Sequence, residues 1–225
     1  MPQIISVVGK SSSGKTTLLK GLIAELKRRG VKAAVIKHSV HDFKLDTPGK
    51  DTAVLAEAGA ALVAFSSPKG VVFFRSVDTE ASLAELSRLV GEDYDIVFTE
   101  GFGKEHNPKI EVHRQIQGHD LISPVEDLIA VASDEALDIG GIPRFALDDF
   151  RQLADLVERR IQAKKGEVPM AMYVDGKSIA LGPFAREIVS RTLQGMVSAL
   201  KGVSGDATSI DISIRQKGER EVPRG

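Results

Sequence analysis

Apolar residues along the chain fall into short continuous runs, separated by stretches in which they recur every three or four positions. Ile4, Ile5, Val7 and Val8 form the first run, long enough for a buried strand and too short for most helices. Leu18, Leu19, Leu22, Ile23 and Leu26 follow at helical spacing, up to Arg28-Arg29-Gly30. Residues 32–37 (KAAVIK) read as a second strand, 38–50 as a long polar loop, and 52–58 as a short helix ended by Gly59. Two strands at 61–65 and 70–75 are joined by Ser66-Ser67-Pro68-Lys69, a turn composition. Asp78 or Thr79 is expected to cap a helix bearing Leu83, Leu86, Leu89 and Val90. Further strands are expected at 94–99, 109–113, 128–132 and 144–147. Asp148 then caps a helix through Leu153, Leu156, Val157 and Ile161 that closes at Gly166.

Short strands alternating with amphipathic helices imply an α/β fold, its sheet mostly parallel with helices on both faces. From Val168 the pattern changes. Residues 170–181 alternate on either side of Asp175-Gly176, a tight-hairpin signal. Pro183 opens a helix with Phe184, Ile188, Val189, Leu193, Met196, Val197 and Leu200 on one stripe. Residues 209–214 (SIDISI) read as a last strand. The expected division is a main domain at 1–166, a small ββαβ addition at 167–216 and a disordered tail at 217–225. The addition is too small to be stable alone, so it is expected to pack on the main domain or on a partner subunit.

The 225 residues carry 30 Lys+Arg against 31 Asp+Glu, a net charge of −1. That balance gives no electrostatic footprint for nucleic acid or an anionic membrane. With no cysteine, disulfides, zinc–thiolate sites and cysteine nucleophiles are excluded. No apolar run approaches the roughly 20 residues of a membrane span. Met1-Pro2-Gln3 leads directly into the first strand without a signal segment, so a soluble cytoplasmic protein is expected.

The chemistry concentrates where the first strand meets the first helix. Gly9-Lys10-Ser11-Ser12-Ser13-Gly14-Lys15-Thr16 fits G-x-x-x-x-G-K-[ST] between a strand and a helix, the context of a phosphate-binding P-loop. Gly9 and Gly14 let the backbone curl so that the N–H groups of Ser11, Ser12 and Ser13 line an anion nest, and the helix dipole adds positive potential. Lys15 reaches the β- and γ-phosphates, the Thr16 hydroxyl suits Mg²⁺, and Thr17 is placed for the α-phosphate. In parallel sheets ligands sit at the carboxyl ends of strands. Glu100, just after Ile96-Val97-Phe98, is therefore the candidate that holds magnesium through water. The polar loop carries His38, His41, Asp42, Asp46 and Asp51, of which Asp46 and Asp51 are candidates to hold magnesium or orient water. Lys37 can neutralise phosphate charge. Asp134, after the strand at 128–132, is either a guanine acceptor or an ordinary helix cap. No Asn/Thr-Lys-x-Asp quartet accompanies it. His113 reads as structural, and His106 and His119 earn no role.

GKSSSGKTTLLKGLI, VIKHSVHDFKLDTPGKDT, DIVFTEGF, PKIEVHR and AVASD, in that order, resemble the MobB proteins of molybdopterin-guanine dinucleotide biosynthesis, over residues 1–165. The first motif is generic to P-loop NTPases; the Lys-His-x-x-His-Asp-Phe…Asp-x-Pro-Gly-Lys-Asp run is far more specific. The resemblance implies a GTP-binding protein with weak hydrolysis, usually a homodimer, assisting a MobA-type nucleotidyltransferase that attaches GMP to molybdopterin. On it Lys15, Asp46 and Glu100 take the catalytic roles, Thr16, Asp46 and Glu100 hold Mg²⁺, and Asp134 sits near the base. The addition after Val168 goes unexplained; a dimer surface, a pterin contact and a docking site for a partner are its three candidate roles. The rival reading is an ATP-dependent small-molecule kinase, against which the paired arginines Arg28-Arg29 and Arg159-Arg160 lie toward helix ends, away from the strand tips.

Overall fold

The strand at Gln3–Val8 (β1) is buried on both faces, which is why its sequence is a nearly continuous apolar run. A computed structural model describes residues 2–39, 50–91, 93–137, 139–164, 170, 172–174, 177–203 and 209–214. It divides into two compact units, Met1–Gly166 and Glu167–Gly225. In the first, β1 is followed by α1 (Lys15–Arg28), β2 (Ala33–Lys37), α2 (Asp51–Glu57), β3 (Leu62–Ser67), β4 (Gly70–Arg75), α3 (Leu83–Val90) and β5 (Ile96–Glu100). Then come β6 (Lys109–His113), β7 (Leu128–Ser133), β8 (Arg144–Phe145) and α4 (Phe150–Lys164). Six parallel strands form one sheet in the order β2-β5-β1-β6-β7-β8.

Alternation along the strands sorts the core into two layers. Ile5, Val7, Phe98, Ile110 and Val112 face Leu18, Leu22 and Leu26 of α1 and Leu153 and Val157 of α4. Ile36 and Val97 pack with Leu83 on the other face, joined by Ile4, Ala34, Leu86 and Val90. Helices therefore cover both faces, as the pattern implies. β3 and β4 stand apart as an antiparallel hairpin whose Phe65, Val71, Val72 and Phe73 are exposed.

β6 holds a feature that its sequence does not advertise. Lys109, Glu111 and His113 alternate with the core residues Ile110 and Val112, yet all three are buried. A buried charge is tolerable only when paired. Lys109 Nζ donates to Asp127 Oδ2 at 2.6 Å and to the Glu105 carbonyl at 2.7 Å. Glu111 accepts the Ile122 and Ser123 N–H groups at 2.8 and 2.9 Å. His113 Nε2 lies 2.6 Å from Glu135 Oε1.

Two helix starts differ from expectation. Ser82, rather than Asp78 or Thr79, caps α3: its hydroxyl accepts the Glu85 N–H, and Glu85 accepts the Ser82 N–H at 2.9 Å. This reciprocal box satisfies two otherwise orphaned donors. At α4, Asp149 rather than Asp148 accepts the Gln152 N–H, at 3.3 Å.

The end of α1 is fastened to α4 by charge. Arg29 reaches Asp155 at 2.5 Å and Glu158 at 2.6 Å, while Glu25 accepts from Arg28 at 2.7 and 2.9 Å and from Arg29 at 2.8 Å. The bonds from Arg28, then Arg29, lower the Glu25 carboxyl from 4.5 to about 2. A carboxyl whose value falls on folding binds fewer protons in the native state, so its contribution is full above about 4.5 and lost as pH falls toward 2. Urea melts of Glu25→Gln are thus expected to lie below wild type at pH 7, with the gap reduced to roughly half or less at pH 3 and closing only as pH falls through about 2. A gap as wide at pH 3 as at pH 7 would mean that charge on Glu25 is not what the pairing exploits.

The second unit has a hairpin, β9 (Met172–Val174) with β10 (Lys177–Ile179), and a helix, α5 (Pro183–Ser198). The last strand expected at 209–214 is not formed. Ile210, Ile212 and Ile214 alternate but stay exposed, and no ladder partner stands beside them among the described residues. Alternation makes a strand only where a neighbouring strand completes the hydrogen bonds. The described part of the addition is ββα, and the tail expected at 217–225 lies outside the described residues.

Candidate functional site

Between the end of β1 and the start of α1 the backbone makes a tight loop whose shape only certain residues permit. Gly9 has φ +145°, and a Cβ there would lie 2.4 Å from the Val112 carbonyl oxygen and 2.8 Å from Ser13 Oγ. Ser12 and Gly14 adopt left-handed backbone, φ +59° and +101°. Ser13 N–H donates to the Lys10 carbonyl at 3.3 Å, and Leu18 N–H to the Gly14 carbonyl at 2.9 Å. Among the described residues, no carbonyl or side chain takes the N–H groups of Ser11, Ser12, Gly14, Lys15 or Thr16. The first turn of α1 has no acidic residue and no side-chain cap. A row of unpaired donors at an uncapped helix N-terminus is an anion site.

Four charged or hydroxyl side chains gather at this loop. Lys15 Nζ bridges the Gly9 and Lys10 carbonyls at 3.0 and 2.9 Å. Parallel register pairs Val7 with Glu100 and Glu100 with Lys37, bringing the ends of β1, β5 and β2 together. The Thr16 hydroxyl consequently lies 3.0 Å from both Glu100 carboxylate oxygens, and Lys37 Nζ is 3.8 Å from the nearer one. Behind Glu100 the chain turns through Gly101 and Phe102, both at positive φ (+105° and +54°). His38 closes that turn: its N–H donates to the Glu100 carbonyl at 2.9 Å, its ring lies 5.0 Å from Phe102, and its Nε2 pairs with Glu80.

The oxygen set suits a hard cation. A hydroxyl and a carboxylate are what magnesium takes from a protein when phosphate oxygens and water complete the octahedron. No group of three or more His, Asp or Glu among the described residues could hold a metal by itself. His41, Asp42 and Asp46 lie outside the described residues, and Asp51 opens α2.

On the far side of the loop, Asp134 follows β7. Its Oδ1 accepts the Gln115 N–H at 2.8 Å, and Arg114 Nη1 lies 3.1 Å from its Oδ2. The Gln115 bond, aided by the Arg114 charge, holds this carboxyl below its usual range. Sequence reasoning missed the residues that fasten this region. Lys10 Nζ donates to the Gln117 carbonyl and Gln117 Nε2 to the Ser11 carbonyl, both at 2.7 Å. His113 is paired with Glu135, whose second oxygen lies 3.3 Å from His119 Nδ1. No periodicity or spacing marks Gln117 or Glu135.

The family model for molybdopterin guanine dinucleotide synthesis protein B matches residues 4–134, from β1 through the loop and Glu100 to Asp134. The chain belongs to the MobB family. A molybdopterin-guanine dinucleotide biosynthesis adapter protein of Escherichia coli K12 is 35% identical over 171 residues, 74% of this chain and 97% of the relative. A relative from Methanocaldococcus jannaschii is 31% identical over 243 aligned residues, covering 94% of this chain and 98% of its own. That match extends into the second unit, so the addition is not peculiar to this chain. A crystal structure of molybdopterin-guanine biosynthesis protein B superimposes with a TM-score of 0.55 at 28% identity, over 71% of this chain and 99% of that one. MobB-family membership and the α/β fold with its mostly parallel sheet agree with the sequence-based reading.

Proposed function

We propose that this MobB-family chain binds GTP with Mg²⁺ in the loop between β1 and α1, hydrolyses it slowly, and acts as an adapter in molybdopterin guanine dinucleotide biosynthesis. The observation that carries the reading is the set of unpaired N–H groups on Ser11, Ser12, Gly14, Lys15 and Thr16, with the Lys15, Thr16 and Glu100 side chains gathered beside it. On binding, the Lys15 ammonium exchanges two carbonyls for the β- and γ-phosphate oxygens. Thr16 and Glu100 are the residues that would hold magnesium, Glu100 through water, and the ion when bound would neutralise charge on the phosphates. Asp46, outside the described residues, is the residue we assign to holding magnesium and orienting the attacking water. Thr17 takes the α-phosphate.

Guanine is read at Asp134. Arg114 is an exposed partner that the ring N–H and amino group of guanine can replace at Oδ2, and adenine has no such pair of donors. The arginine pair supports slow turnover. Arg28 and Arg29 are committed to Glu25, Asp155 and Glu158, so neither is free to act on the phosphates. A kinase or fast GTPase needs a free guanidinium over the transferred phosphoryl group. The adapter's partner is a MobA-type nucleotidyltransferase carrying molybdopterin, in the cytoplasm, and the exposed apolar hairpin β3–β4 supports a homodimer.

Titration with GTP and ATP, with and without magnesium, tests the reading. GTP is expected to bind at least ~10-fold more tightly, the loss of one well-made hydrogen-bond pair being of that order. Equal or tighter ATP binding would favour the kinase instead. Glu100→Gln is expected to raise the magnesium concentration needed for half-saturation several-fold while leaving metal-free nucleotide affinity nearly unchanged. Unaltered magnesium dependence would remove Glu100 from the metal site.

A further inference from the structure

We infer that Gln117 is a positioning residue for the phosphate-binding loop, holding the Ser11–Ser12 peptide in the orientation that aims its N–H inward. The inference rests on the nucleotide reading of that loop and adds a residue 106 positions away in sequence to it.

Residues 113–119 form a brace between the ends of β6 and β7 and the loop. Both ends of the brace are tied to one carboxylate, His113 Nε2 at 2.6 Å from Glu135 Oε1 and His119 Nδ1 at 3.3 Å from Oε2. Its middle is tied to Asp134 through the Gln115 N–H at 2.8 Å and Arg114 at 3.1 Å. The 3₁₀ turn Gln115–Gln117 then presents Gln117 to the loop twice. Its side-chain Nε2 donates to the Ser11 carbonyl and its main-chain carbonyl accepts from Lys10 Nζ, each at 2.7 Å.

The consequence follows from peptide geometry. In a trans peptide the carbonyl and the following N–H point in opposite directions. Fixing the Ser11 carbonyl toward Gln117 therefore fixes the Ser12 N–H on the opposite side, among the unpaired donors of the nest. Ser12 is also the loop's one non-glycine residue at positive φ, +59°, a backbone conformation that a Cβ disfavours. Something outside the loop must hold that peptide, and the Gln117 amide is the group bonded to it. A nest held open before the ligand arrives binds more tightly than one that must be reorganised.

The test uses the full chain, with GTP, GDP and inorganic tripolyphosphate as separate ligands in magnesium buffer. Gln117→Ala and Gln117→Met are both expected to weaken all three by one common factor of about 5–10, the value of one hydrogen bond to a neutral acceptor. The methionine variant keeps the side-chain volume and also removes Gln117 Oε1, a buried oxygen without a partner among the described residues, so its melting temperature should match wild type. Undiminished tripolyphosphate affinity in both variants would overturn the inference. A loss confined to GTP and GDP would do the same, since it would put Gln117 on the base instead. So would a loss in the alanine variant alone, accompanied by a lower melting temperature. Lys15→Ala runs alongside: if it bound tripolyphosphate as well as wild type, the loop would not be the phosphate site, and the nucleotide reading would fail with Gln117's role.

Discussion

Lys15→Ala is expected to abolish measurable GTP binding, a loss of at least ~100-fold, with a melting temperature close to wild type. The two halves of that expectation come from the same geometry. In the protein Lys15 Nζ is held by two main-chain carbonyls, those of Gly9 and Lys10, at 3.0 and 2.9 Å. These are partly exposed bonds that water replaces at little cost to stability. Against a triphosphate the same ammonium faces several negative charges. At an effective dielectric of about 20 each close pair contributes roughly 4 kcal/mol before screening, so keeping even most of one such pair exceeds the ~2.7 kcal/mol of a hundredfold change. Fluorescent GTP-analogue titration alongside thermal melting separates the two effects. Retained affinity would put the phosphates elsewhere.

Gly9→Ala is expected to damage both binding and stability. The new methyl would sit 2.4 Å from the Val112 carbonyl oxygen, which belongs to the neighbouring strand β6. A backbone carbonyl in a central strand cannot step aside as a flexible side chain would, so either β6 or the loop must shift. Overpacking against backbone, together with φ +145°, is worth about 2–4 kcal/mol, or a drop of roughly 5–15 °C in a domain of this size. Gly14→Ala is the informative companion. Gly14 also has positive φ, but nothing lies within 4 Å of its missing Cβ, so its substitution incurs backbone strain alone. Thermal melts should therefore rank the variants wild type, Gly14→Ala, Gly9→Ala. Equal destabilisation by the two would show that φ, and not the contact with β6, decides the role of Gly9.

How much of this was legible in the sequence depends on the range of the interactions involved. The central strands were readable because β1 and β5 are buried on both faces and leave unbroken apolar runs. The loop was readable because its spacing is a local requirement of backbone curvature, and Glu100 because a strand end is a position that one strand alone defines. Ser82 could also have been found: Ser82-Leu83-Ala84-Glu85 carries the capping-box pattern that Asp78 and Thr79 lack. Gln117 and Glu135 could not. Their roles depend on partners far away in sequence, joined only once the strands are assembled. The inward charges of Lys109, Glu111 and His113 were hidden for the same reason, since alternation identifies a strand without saying that its polar face will meet Glu105, Ile122, Ser123, Asp127 and Glu135. Residues 209–214 show the converse, a strand-like pattern without a neighbour to pair with.

A crystal structure with a non-hydrolysable GTP analogue and magnesium addresses the phosphate grip most directly. The triphosphate is expected over residues 9–17, with Lys15 Nζ moved off the Gly9 and Lys10 carbonyls onto the β- and γ-phosphates and the metal ion between Thr16 and Glu100. A nucleotide bound away from that loop, or Lys15 still on its two carbonyls beside a bound triphosphate, would contradict it.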